Sequence, residues 1–227
     1  MERSTDSQQS SLLTKFAASL MIIGMLLVLA AALAVPFLFP TETLWYKAGA
    51  DKLMLLTAQL AGVLAMVLLV VQILLALRPK VLEQAVGPAN LLRWHRLNGV
   101  VVAVCALVHV VLVLAPEGLA NLPLGWKFWP ELLGAATLFS LLTTVALSWW
   151  RSALPLSYQR WRLLHRSIGY LLPALLTAHI LFVSESFAGG PPRLVLLVGM
   201  VLFFVVVALM RMRRGRSTPT NHPRRSP

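Results

Sequence analysis

Six long apolar runs leave this chain almost no choice of environment. They cover roughly 16–38, 53–77, 97–115, 132–150, 167–184 and 191–210. Spanning the hydrocarbon of a bilayer takes about 17–25 such residues in a helix. The runs are uniformly apolar rather than alternating, so helices are expected and barrel strands are not. At 58% hydrophobic and 12% charged residues, with a mean hydropathy of +0.78, the composition fits no soluble domain. The expected fold class is all-α: an integral membrane bundle of six transmembrane helices. The "AAALA" near residue 34 imitates a signal-cleavage site, but the run before it exceeds a usual signal core and is read as a span.

Charge sets the expected orientation. The net charge is +12, and sixteen of the twenty basic residues fall on one side of the bilayer, from Arg3 and Lys15 to the cluster after residue 210. Only Lys47, Lys52, Lys127 and Arg193 fall on the other. The positive-inside rule therefore predicts both termini in the cytoplasm. The basic excess is topology, with anionic lipid headgroups as its natural partner, and no nucleic-acid role is expected.

The spans divide the chain into a polar cytoplasmic tail (1–15), expected to be disordered, a transmembrane domain (16–210) and an Arg-rich cytoplasmic tail (211–227) in which His222 is simply solvated. Trp45, Trp126 and Trp129 in the outer loops, and Trp149, Trp150 and Trp161 at the inner loop 151–164, suit interfacial belts. The single cysteine, Cys105, permits no disulfide and reads as core filler. No Gly-rich dinucleotide fingerprint or P-loop is present.

Histidine carries the chemistry. "HRLNGVVVAVCALVH" (95–109) and "HRSIGYLLPALLTAH" (165–179) share a pattern: His-Arg at the start, Gly four residues after the first His, and a second His fourteen residues on. Fourteen residues return to within about 40° of the starting direction and advance about 21 Å. Each helix thus offers one imidazole near the cytoplasmic face and one deep toward the outer face. An ionisable side chain at that depth is a functional candidate. The third and fifth spans run in the same direction, so, as neighbours, they would set His95 level with His165 and His109 level with His179. Two facing imidazoles at each of two levels suit two haem b groups with axial histidines, held between helices of a bundle. No thiolate set, HExxH motif or intramembrane carboxylate supports zinc.

Arg96 and Arg166 follow the inner histidines and either pair with haem propionates or snorkel as topology signals. Gly99 and Gly169 allow a flat ring, or another helix, to approach closely. Pro173 is expected to kink the fifth span. Ser184 and Glu185, beyond His179, are candidates for contact with an outer acceptor.

Six spans with His-x13-His on the third and "WRLLH…H" on the fifth resemble the ferric reductase-like transmembrane domain family, which includes ferric reductases, NADPH oxidases and the haem membrane subunit of a methionine sulfoxide reductase system. The most specific segment is "LSYQRWRLLHRSIGYLLPALLTAH". The resemblance implies an oxidoreductase component, multi-pass in the inner (plasma) membrane of a bacterium. It implies two stacked haems, the inner held by His95 and His165 and the outer by His109 and His179, passing electrons outward. Because no flavin or NADPH domain is visible, the expected donor is a separate flavoprotein reductase or quinol. The acceptor is outer ferric iron or, alternatively, a periplasmic protein such as a methionine sulfoxide reductase. A reading of another class, a non-redox transporter or membrane scaffold, rests on a few polar span residues such as Gln59, Gln72, Thr143 and Thr144.

Overall fold

A computed structural model of the chain describes residues 2–116, 118, 122 and 125–216, with side chains between Leu12 and Arg213. His222 and the end of the tail lie outside the described residues. The helices are α1 (Glu2–Leu38), α2 (Thr43–Tyr46), α3 (Gly49–Leu77), α4 (Lys80–Val86), α5 (Pro88–Leu114), α6 (Trp129–Trp149), α7 (Tyr158–Val183) and α8 (Gly190–Arg216). No strand occurs among the described residues. Six helices are long and apolar enough to span a bilayer: α1, α3, α5, α6, α7 and α8. Their outer faces leave Leu27, Leu163, Val195 and Val201 more than half exposed, a surface that suits lipid and not water.

The helices outrun their apolar runs. Helix α1 begins at Glu2, well ahead of its apolar run. Extending a formed helix costs far less than nucleating one. Helix α8 likewise continues through Arg216 into the basic segment. Helix α5 starts at Pro88, in the first-turn position where proline costs no hydrogen bond. Gly87, at φ +83°, turns the chain into it. Helix α7 starts after Ser157, whose hydroxyl caps the Arg160 N–H at 3.4 Å. His95 and His165 therefore sit two turns inside their helices. Helix α7 also runs unbroken through Pro173, which is buried.

Helix α5 packs chiefly along α3, and α7 chiefly along α6. The two histidine-bearing helices thus belong to separate pairs and face each other across the bundle. One buried cluster takes a single residue from each of these four helices: Leu69, Val102, Leu141 and Leu172. Helix α8 closes another side through Leu196, Met200 and Phe203, packed with Met66 and Ile73 of α3. The short α4 tucks Leu82 against Ala18, Leu75 and Leu91.

Opposite the Arg-rich end, loops are tied to one another. Thr43 donates its hydroxyl to Glu185 at 2.7 Å, and Ser186 donates to the Phe39 carbonyl at 2.8 Å. Glu185 is thereby a loop clamp. Ser184 caps α7 with its main-chain N–H.

Candidate functional site

At the Arg-rich end, His95 and His165 approach with ring centroids 6.2 Å apart and planes at 69°. They line a cavity of about 1020 Å3 together with Gly99, Gly169, Arg96 and Arg166. That volume lies at the upper end of the range for cofactor and small-molecule sites. Arg78, Arg151, Arg162 and Arg211 line the same space, so the sequence reading found two of its six arginines.

Each histidine is fixed by the helix behind it. His95 Nδ1 lies 3.1 Å from the Gln72 main-chain oxygen of α3. A carbonyl can only accept, so Nδ1 carries the hydrogen and Nε2 the lone pair. The Gln72 side-chain amide then donates to Nε2 at 3.3 Å, and Asn98 steadies that amide by donating to its oxygen at 2.8 Å. On the facing side, Ser148 of α6 gives its one hydroxyl hydrogen to the Thr144 carbonyl at 2.8 Å, so it accepts from His165 Nδ1 at 3.1 Å. Trp161, one turn before His165, stacks on its ring at 5.2 Å and 21° while its indole N–H donates to Leu147 O. Trp161 is thus a packing partner of the histidine.

The second level repeats the device. His109 Nδ1 donates to Ala58 O of α3 at 2.8 Å, and His179 Nδ1 donates to Pro130 O of α6 at 3.0 Å. One turn on from each acceptor stands a glycine that makes room for the ring. A Cβ on Gly62 would lie 2.8 Å from His109 Nδ1, and one on Gly134 would lie 2.5 Å from His179 Cε1.

The supporting helices keep the period of the histidines. Ala58 and Gln72 stand fourteen residues apart, as do Pro130 and Thr144. All four histidines present the same tautomer, with Nε2 available for a metal once Gln72's side chain is turned aside. An Nδ1–H donated to an oxygen acceptor is the usual companion of metal ligation through the other nitrogen. Among the described residues no three or more His, Cys, Asp or Glu side chains gather into a group that could hold a metal ion; His95 and His165 meet as a pair. Sequence reasoning missed the supporting side, Ala58, Gln72, Pro130 and Ser148. Three of these act through main-chain oxygens, which carry no side-chain signature; the fourteen-residue step and the two glycines were the available signal.

Of the glycines flagged by sequence, Gly169 opens onto the cavity with nothing within 4 Å of a Cβ, whereas Gly99 faces the Gln72 amide at 3.0 Å. Pro173, one turn beyond Gly169, has no N–H to offer that carbonyl.

Fold and site together define a multi-pass integral membrane protein with histidines fixed at two depths of a helical bundle. The family model described as ferric reductase like transmembrane component matches residues 61–177, and the chain belongs to that family. The match includes His95, His109 and His165 and ends two residues before His179. No curated protein and no solved structure matches at a significant level. Membership makes the chain a component of membrane redox chemistry.

Proposed function

We propose that the chain is a haem b-binding membrane subunit that carries electrons from a donor at the Arg-rich side to an acceptor at the opposite side. The charge asymmetry supports placing the Arg-rich side in the cytoplasm. The observation that carries this reading is the set of four histidines at two levels, each with Nδ1–H bound to the helix behind it.

The residues fit the group: the rings of His95 and His165 face each other 6.2 Å apart beside a cavity, each with Nδ1 tied to the helix behind it and Nε2 left to ligate. His95 and His165 would hold one haem, His109 and His179 the other. Bound haem supplies the one-electron chemistry of iron; everything else is the protein's. Ala58, Gln72, Pro130 and Ser148 orient the rings. Arg96 and Arg166 offer guanidinium groups to propionates at the cavity mouth. For His95 to ligate through Nε2, the Gln72 side chain would have to turn off that nitrogen, while the Gln72 carbonyl would keep hold of Nδ1. The donor is a separate flavoprotein or quinol; the acceptor is ferric iron or a periplasmic reductase.

The test is transfer across a sealed vesicle, with reductant on the Arg-rich side and ferricyanide trapped on the other. Wild type reduces the trapped dye, and His109→Ala keeps reducible haem at the Arg-rich level but loses transfer. Normal transfer by that variant contradicts the two-level route.

A further inference from the structure

The four histidines are not held alike. Three give Nδ1–H to main-chain oxygens, those of Ala58, Gln72 and Pro130. No side-chain substitution removes a main-chain acceptor. His165 alone gives its Nδ1–H to a side chain, the Ser148 hydroxyl, which relays to Thr144 O. By the fourteen-residue step, Thr144 occupies on α6 the place Gln72 holds on α3, so the hydroxyl is one added link between ligand and main chain. Its neighbour Leu147 holds Trp161 against the same ring. Two consecutive residues of α6 thus fix both the proton and the plane of His165.

We propose that Ser148 is a positioning residue that sets the donor strength of His165, and through it the reduction potential at the Arg-rich level. The inference rests on the haem reading above. An acceptor at Nδ1–H increases the basicity of the ligating nitrogen and so favours ferric over ferrous iron. Removing the acceptor weakens the donor and raises the potential. A hydroxyl can be exchanged one residue at a time, which makes this the adjustable ligand of the four.

The experiment is a spectroelectrochemical titration of full-length protein in detergent, comparing wild type, Ser148→Ala and Ser148→Thr, with haem counted per chain. Loss of such supporting bonds typically changes metal affinity by about 10–100-fold, and a tenfold change in ferric-to-ferrous preference is about 59 mV for one electron. In Ser148→Ala, one couple moves upward on that scale while the other stays; Ser148→Thr, which keeps the hydroxyl, leaves both in place. Selective loss of one haem in Ser148→Ala but not in Ser148→Thr also supports the role. Unmoved couples in Ser148→Ala, or an equal shift in Ser148→Thr, overturn it. A wild-type chain without haem fails at the haem count instead, and takes this inference with it.

Discussion

Val102 and Leu172 belong to one buried cluster, and each stands seven residues from both histidines of its own helix. With Leu69 and Leu141 they form an apolar layer between the two histidine levels. The same four residues also line the cavity that holds His95 and His165.

Leu172→Ala opens that layer. Truncating a buried leucine costs about 2–5 kcal/mol, depending on how far the site collapses, and Leu172 is almost wholly enclosed. The expected result is a lower denaturation midpoint in detergent with both haems retained, since neither level loses a ligand. An unchanged midpoint contradicts the tight packing assigned to the layer.

Gly62→Ala and Gly134→Ala press a methyl group into a histidine ring, with approaches of 2.8 and 2.5 Å. Overpacking of this kind costs about 1–3 kcal/mol, and here it displaces His109 or His179. Each variant loses the haem of the Arg-poor level by haem count, while the other remains. Gly199→Ala, where nothing lies within 4 Å of the added carbon, is neutral or slightly stabilising because alanine favours helix.

Arg96→Gln and Arg166→Gln remove positive charge from the cavity wall. Reduction adds an electron, which a nearby cation stabilises, so each change lowers the potential of the Arg-rich level. The shift is about 1 kcal/mol or less, the scale of partly exposed charges. Redox titration of purified variants reads it. An unchanged potential means these arginines act only in topology.

Glu185→Gln weakens the clamp to Thr43. The bond is exposed, so about 1 kcal/mol or less of thermal stability is expected to be lost. Transfer to an outer dye stays normal. A large loss of transfer with unchanged stability restores Glu185 as an acceptor contact.

The ligand side of this protein was legible in the sequence, and the support side was not. Histidine is rare in apolar spans, so His95, His109, His165 and His179 stood out, and a repeated spacing ties them to one design. The six spans were equally plain, but their ends were not. Hydropathy stops where polar residues begin, whereas α5 and α7 start nine residues before their apolar runs, at Pro88 and Tyr158, and so take in His95 and His165. Pairing of α3 with α5 and of α6 with α7 was hidden because uniformly apolar helices give no facing signal. The stacking of Trp161 on His165 at 5.2 Å was hidden because a tryptophan near a loop carries no sign of its ring partner. The arginines of the cavity wall were visible as charge, and their convergence on one space was not.

The most direct measurement is a dithionite-reduced minus oxidised visible spectrum of the purified chain, with haem counted per polypeptide. Two haems per chain with sharp low-spin b-type bands is the result expected from the two histidine levels. A chain expressed with ample haem that purifies colourless contradicts the redox reading and brings forward a membrane protein whose histidines serve only its packing or proton movement.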